Sequence, residues 1–181
     1  MLNWLIKRQI AAFERTYGYD ASYIHDILDT DRSAFMRFTK AVNLSKYVKG
    51  VPRVAWFTAK ITAVLAEDCG PCTQLGVTMA EREGVAPDVL RAIVAGDVHA
   101  MPEDVALAFR FTKAVLAHDP SADALREQIV ERWGKPALVS LAFAITTARI
   151  YPTVKYALGH GQACRRVTVG GAPVIPLKKV A

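Results

Sequence analysis

Apolar residues recur at helical spacing along most of this chain, and no other feature limits its possible folds so strongly. In Leu2–Tyr17, for example, Leu5, Ile6 and Ile10 fall on one side of a helix, and charged residues lie elsewhere. Alternation with a period of two, which is typical of strands, is not convincing before residue 159. The sequence therefore predicts an all-α fold, followed by a non-helical tail at 159–181 that is rich in Gly, Pro and Val.

Capping residues, glycines and prolines divide this pattern into separate helices. Asp20 and Asp31 are predicted to cap the second and third helices, and the third is expected to run as far as Tyr47. Pro52 is predicted to begin the helix that leads to a pair of cysteines. The most apolar helix, Lys135–Leu158, is the expected centre of the fold. Further helices are expected over Val89–Val94, after Pro102 and after Ser121.

Composition and charge exclude several classes of protein. A chain of 181 residues with 52% hydrophobic content is long enough for one domain, 1–181. The formal net charge is +6, but the 23 basic residues are spread along the sequence, so we expect no nucleic-acid partner. The longest uncharged run, Pro136–Ala148, spans 13 residues and is too short to cross a bilayer, and no secretory signal is evident. Three cysteines do not make a disulfide framework, so we expect a reducing, cytoplasmic location.

Cys69 and Cys72 are three residues apart, with only Gly70 and Pro71 between them. Proline is tolerated in the first turn of a helix, so a helix is predicted to begin near Asp68 or Cys69, with Asp68 as a good N-cap. Both sulfurs would then lie at the positive end of the helix dipole, which lowers the pKa of a thiol. We expect Cys69, at the N-cap end, to be the more exposed of the two. The pattern favours a redox-active dithiol.

The cysteine pair has three other interpretations. The same four residues form the active site of thioredoxins, but residues 52–66 have a helical period where that fold requires a strand. A zinc site needs a second ligand pair, and neither Cys164 nor the four histidines show ligand spacing, so no metal or cofactor is predicted. The remaining alternative is that both cysteines are buried, inert core residues.

A longer pattern surrounds the cysteine pair. Cys69–Cys72 is followed by Met79–Val85, a predicted helix end that contains Ala80, Arg82 and Gly84. The next segments are Pro87–Asp97, Pro102–Asp119, Trp133-Gly134 and Leu138–Ala148. In this order of elements the chain resembles the alkylhydroperoxidase D-like members of the carboxymuconolactone decarboxylase superfamily. The resemblance covers about residues 50–160 and leaves N-terminal helices at 1–48 and the tail at 159–181 outside it.

The resemblance implies a helical bundle, a homo-oligomer and thiol-dependent reduction of small-molecule peroxides without a bound cofactor. A protein or lipoyl-type dithiol would act as the reductant. Redox-active members carry a proton relay made of a histidine four residues after the second cysteine and a glutamate about a dozen residues before the first. In this chain those positions are Gly76 and Phe57. Other residues would have to replace the relay or line the pocket, and the candidates are Glu67, Asp68, Gln74 and His160.

The sequence thus predicts a thiol-dependent oxidoreductase that cycles Cys69 and Cys72 between dithiol and disulfide. One thiolate would attack a peroxide oxygen or a partner disulfide, and the other would resolve the product. Two alternatives stay open: a non-redox enzyme similar to carboxymuconolactone decarboxylase, and a helical binding or structural protein with inert cysteines. The apolar helix faces and the tail, which has no evident partner strand in its own chain, lead us to expect that the tail packs on a neighbouring copy through Val167, Val169, Val174 and Ile175.

Overall fold

The computed structural model describes residues 2–163 and 166–177. Its helices are α1 (Leu2–Tyr17), α2 (Ser22–Thr30), α3 (Arg32–Phe38), α4 (Lys40–Ser45), α5 (Arg53–Leu65), α6 (Gly70–Arg82), α7 (Pro87–Ala95), α8 (Glu103–Ala117), α9 (Ala122–Trp133) and α10 (Lys135–Ala157), with a 3-10 helix at Val98–Ala100. Two short strands follow, β1 (Val167–Val169) and β2 (Ala172–Val174). The predicted all-α fold with a non-helical tail is confirmed.

Helix α5 lies at the centre of the larger hydrophobic cluster, which we call the main core. It packs against α6, α7, α8 and α10. Ten of its 13 residues are buried, which is typical of a helix in a protein core. Ala55, Ala59 and Ala63 are fully buried and have small side chains, so neighbouring backbones can approach closely. The expectation that the helix beginning at Lys135 would be central is therefore corrected, since α5 holds this position and α10 contacts α4, α5 and α9.

A second, smaller set of buried side chains comes from the first three helices and the connection between α1 and α2, and we call it the N-terminal cluster. Its buried members are Ile10, Tyr19, Ala21, Tyr23, Leu28 and Phe35. Phe13 and Tyr19 contact edge to face at 6.0 Å between ring centroids. Leu75 of α6 and Val154 of α10 pack against the same set. The N-terminal helices therefore form a layer over one side of α6 and α10.

The two aspartates predicted to cap the second and third helices differ in outcome, because the N-cap of α2 is Ala21 and not Asp20. The side chain of Asp31 accepts a hydrogen bond from Ser33 N at 2.7 Å, as its predicted N-cap role requires. The third helix is shorter than expected, however, because it is interrupted at Thr39 and followed by the separate α4, with Tyr47 beyond both. The hydroxyl of Thr39 donates a hydrogen bond to the carbonyl of Met36 at 3.0 Å. Such a local side-chain contact competes with continuation of the helix.

The tail forms a strand pair within its own chain. β1 and β2 are antiparallel, with Val167 opposite Val174, and the turn between them is Gly170-Gly171, both at positive φ. Such a two-residue turn matches the twist of paired strands, and glycine tolerates its backbone angles. The expectation that the tail lacks a partner strand is therefore wrong. Val167 and Val169 are buried against α6 and α7 of the same chain, whereas Ile175 is 80% exposed.

Among the residues that the structure describes, α10 alone has the length and composition of a membrane-crossing helix. Part of its surface is buried against α4, α5 and α9. Core helices of water-soluble proteins meet the same criteria, so no clear membrane span is found.

Candidate functional site

A disulfide joins Cys69 and Cys72 at the start of α6, with 5.3 Å between their Cα atoms. Cys69 is the N-cap residue in an extended conformation, and the helix begins at Gly70. Asp68 is not the N-cap, contrary to the prediction. Its φ of 51° belongs to the left-handed region, and there it forms part of the turn that reverses the chain between α5 and α6.

Cys69 and Cys72 differ in their exposure to solvent. Cys69 is fully buried and Cys72 is 6% exposed, so the expectation that Cys69 would be the more exposed is wrong. The reason is the tail, which pairs with the backbone at this point. Ala163 forms an antiparallel bridge with Cys69, and Gly70 N donates to the carbonyl of Gln162 at 3.0 Å. Cys164 comes next in the chain and lies outside the described residues.

Cys72 borders a pocket of about 400 Å³ between the N-terminal cluster and the main core. Leu75, Gly76 and Met79 continue the pocket wall along the same face of α6, because they follow Cys72 by three, four and seven residues in the helix. Side chains from α1, α2 and α3 form the facing wall. The volume is within the usual range for small-molecule sites, and the lining is mostly apolar. Cys72 thus adjoins a space that a small organic molecule can occupy.

The phenol of Tyr19 is the polar group that the structure brings to the sulfur. Its oxygen lies 3.8 Å from Cys72 Sγ and 3.5 Å from the hydroxyl of Tyr23. Burial raises the pKa of Tyr19 to about 12 and that of Tyr23 further still. Burial also raises the pKa of Tyr151, another pocket residue. These phenols stay protonated near neutral pH, so Tyr19 is able to donate a hydrogen bond to a thiolate on Cys72 when the pair is reduced.

Lys60 on α5 is the charged residue of the pocket wall. Its Nζ lies 4.4 Å from the ring centroid of Trp56, a cation–π contact that supports the ammonium group. Burial, and to a smaller extent the nearby positive charge of Arg53, lower the pKa of Lys60 to about 8. The group is therefore charged at pH 7 but close to its titration range.

The four residues suggested from sequence as relay or pocket groups are not among the pocket-lining residues. Glu67 pairs with Arg149 at 2.5 Å between Oε1 and Nε, and the carbonyl of Asp68 accepts from the hydroxyl of Tyr156 at 3.1 Å. His160 Nε2 lies 2.6 Å from Asp26 Oδ2. The side-chain amide of Gln74 bonds to Thr168 of β1. Its Nε2 donates to the Thr168 carbonyl at 3.0 Å, and its Oε1 accepts from Thr168 N at 2.7 Å.

Sequence reasoning missed Tyr19 and Lys60. Lys60 carried a signal, because it is the sole charged residue in the apolar run Val54–Leu65. No feature of the sequence distinguishes Tyr19 from the other tyrosines of the N-terminal segment. As for metals, the described residues contain no group of three or more His, Cys, Asp or Glu side chains placed to hold an ion.

Comparisons of the chain with protein-family models, curated protein sequences and solved structures gave no match. The resemblance to the alkylhydroperoxidase D-like proteins therefore remains a prediction that rests on the order of motifs in the sequence.

Proposed function

We propose that this protein is a thiol-dependent oxidoreductase of the alkylhydroperoxidase D-like type, which cycles Cys69 and Cys72 between dithiol and disulfide in the cytoplasm. One observation carries the proposal: a cysteine pair at bonding distance lies at a helix N-terminus, and one member borders a pocket. A helix N-terminus favours the thiolate over the thiol. The burial of Cys69 and the position of Cys72 support unequal roles for the two sulfurs.

In the proposed reaction, the Cys72 thiolate attacks one oxygen of a hydroperoxide. An S–O bond forms, the O–O bond breaks, and the departing alkoxide takes a proton to leave as an alcohol, so that Cys72 becomes a sulfenic acid. Cys69, as thiolate, then attacks the Cys72 sulfur, the disulfide forms, and the sulfenic oxygen leaves as water after protonation. A protein or lipoyl-type dithiol returns two electrons and two protons.

Tyr19 replaces part of the family relay in this scheme. Its hydroxyl is close enough to Cys72 to donate a hydrogen bond to the thiolate. With Gly76 and Phe57 at the usual relay positions, proton transfer to the departing oxygen falls to the pocket phenols, to Lys60 or to water. Glu67, Asp68, Gln74 and His160 are engaged in the contacts described above, so the scheme does not use them.

The test starts from reduced protein, treated with hydrogen peroxide or cumene hydroperoxide and followed by free-thiol counts and peptide mapping. We expect two thiols lost per peroxide consumed, a recovered Cys69–Cys72 link and continued turnover with dihydrolipoamide. Cys72→Ser should not react, and Cys69→Ser should stop at a sulfenic acid. Cys164→Ser is the matched control and should behave like the parent protein. Native thiols that resist both peroxides, or a Cys72–Cys164 link, would overturn the proposal.

The pocket also favours a second candidate function, binding of a small molecule without redox chemistry. In that case the cysteines are structural, and the disulfide state changes neither pocket nor ligand. The same thiol counts separate the two functions, because a binding protein with inert cysteines would consume no peroxide.

A further inference from the structure

Lys60 is unusual among the residues that line the pocket. The other lining residues are apolar or uncharged, and they include no carboxylate. None of the ion pairs in the described part of the chain involves Lys60. The nearest charge that affects it, Arg53, has the same sign. An ammonium group in an apolar wall without a counterion is unfavourable, and an incoming anion would offset that cost.

Lys60 and Cys72 line the same pocket from two helices, α5 and α6, that pack against each other. A Cβ atom at Gly76 would lie 3.4 Å from Ile61 Cγ1, so this part of α5 faces Gly76. Gly76 is four residues beyond Cys72, which corresponds to about 6 Å along a helix. Lys60, which precedes Ile61 on α5, lines the pocket that Cys72 and Gly76 also line.

We propose that this pocket binds small amphipathic anions, with the anionic group on Lys60 Nζ and the apolar body against the side chains of α1, α2 and α6. The chemistry of both parts leads to this class. Phe13, Leu75 and Met79 provide apolar surface, and Lys60 provides a charge-assisted hydrogen bond to a carboxylate or similar group. A ligand held in this way extends from Lys60 toward Cys72 and Tyr19.

The inference names the substrate class of the proposed reaction, and that part of it rests on the proposed function. The substrate would be an organic hydroperoxide or disulfide that carries an anionic group, in preference to a neutral one. Binding itself needs no thiol chemistry and can be measured on the oxidised protein.

The experiment compares octanoate with 1-octanol, which have the same chain length and differ in charge. Isothermal calorimetry on the oxidised full-length chain at pH 7 should show octanoate binding at least about tenfold more tightly, as a charge-assisted hydrogen bond implies. Lys60→Met should lower octanoate affinity about ten- to a hundredfold and leave octanol affinity unchanged. Lys60→Arg should keep the preference. Lys113→Met is the matched control, since Lys113 is exposed on α8 and lies outside the pocket, and it should change neither affinity.

A second measurement uses the unaltered protein, so it does not depend on the folding of a variant. Octanoate stays ionised above pH 7, whereas Lys60 loses its proton above pH 8, so octanoate affinity should fall from pH 8 to 9.5 and octanol affinity should not. The other titratable groups of the pocket are Tyr19, Tyr23 and Tyr151, whose pKa values are raised, and Cys72, which is in the disulfide. Arg53 stays charged throughout.

Equal affinity for octanoate and octanol, no binding of either, or a preference that survives in Lys60→Met would overturn the inference. Each of these results leaves peroxide reduction by Cys69 and Cys72 standing if the thiol counts are as expected. Conversely, a charge preference that depends on Lys60, in a protein whose thiols resist peroxide, supports the binding site and removes only the proposed reaction.

Discussion

The main core and the N-terminal cluster differ in what they bury. The main core is largely aliphatic and alanine-rich, as in Ala55, Ala59 and Ala63 on α5, and its helices pack closely. The N-terminal cluster is small and rich in aromatic residues, and it buries the hydroxyl-bearing Tyr19 and Tyr23. The pocket lies where the two meet. The main core thus contributes the disulfide and Lys60 to the pocket, and the N-terminal cluster contributes the phenols of Tyr19 and Tyr23.

The largest expected effect concerns packing. Leu141 on α10 is fully buried in the main core, and Leu28 on α2 is equally buried in the N-terminal cluster. Leu141→Ala should lower the free energy of unfolding by about 3–5 kcal/mol, and Leu28→Ala by about 2–3 kcal/mol, because a small, peripheral cluster can collapse around the lost side chain. Urea denaturation of both variants measures this, and a larger loss for Leu28→Ala would reverse our description of the two regions.

Replacement of Gly76 tests whether the pocket wall formed by the main core lacks a proton relay. Gly76→His places an imidazole one turn beyond Cys72, and a Cβ there meets only Ile61 at ordinary contact distance. The reaction of the reduced protein with peroxide at pH 7 should accelerate by about ten- to a hundredfold, since general acid–base help typically contributes 10²–10⁴-fold. Gly76→Ala controls for the backbone change. It should stabilise the helix by about 0.5–1 kcal/mol without altering the rate, and equal rates for both variants would exclude this position as the relay.

The two walls of the pocket should respond to pH with opposite signs. Lys60 has a pKa lowered to about 8, so the unfolded chain binds more protons between pH 8 and 10.5, and stability should rise there by roughly 2–3 kcal/mol. Tyr19 has a pKa raised to about 12, so its contribution is present below pH 10 and is lost as the pH rises toward 12. Denaturation midpoints from pH 7 to 11.5 measure both limbs.

Variants assign the two limbs of that profile. Lys60→Met should reduce the rise without abolishing it, because burial lowers the pKa of Lys155 as well. Tyr19→Phe should reduce the fall, to which Tyr23 and Tyr151 also contribute through their raised pKa values. Denaturation midpoints that do not change from pH 8 to 10 would contradict the burial of the Lys60 ammonium group in the pocket wall.

Gln74 joins the main core to the tail. Its Nε2 donates to the carbonyl of Thr168 at 3.0 Å, and its Oε1 accepts from Thr168 N at 2.7 Å. Gln74→Ala should destabilise the hairpin by about 1 kcal/mol and speed hydrogen exchange at the β1 amides. Gln128→Ala, an exposed change on α9, is the control. Because the tail also pairs with Cys69, the variant should expose that residue to thiol reagents after reduction, and unchanged exchange would assign Gln74 no role in holding the tail.

The smallest effect on folding is expected at the outer face of α1, where Leu2, Trp4 and Leu5 are exposed. We expect this face to contribute to a homo-oligomer, which stays a prediction here. Trp4→Glu should change the unfolding free energy of the subunit by less than about 0.5 kcal/mol, as for other surface substitutions, while weakening association. Sedimentation at micromolar concentration measures the oligomeric state. A parent protein that sediments as a monomer would show that the predicted homo-oligomer is wrong.

The sequence by itself determined most of the local structure. The bounds of α1, the cap at Asp31 and the start of a helix at the cysteine pair all follow from side chains within about one turn of the position concerned. Capping hydrogen bonds, helical periodicity and the dipole at a helix end depend only on such near neighbours. For the same reason the cysteine pair could be identified from the sequence, since its two members belong to one helix start.

Tertiary structure alone decided what surrounds that pair. Tyr19 reaches Cys72 across 53 residues of sequence, and Gln74 reaches Thr168 across 94. The burial of Cys69 depends on the tail returning to pair with it, and the turn at Asp68 depends on how α6 packs on α5. No local pattern encodes these contacts, because they arise only when separate apolar faces are buried together and bring their polar groups into one pocket.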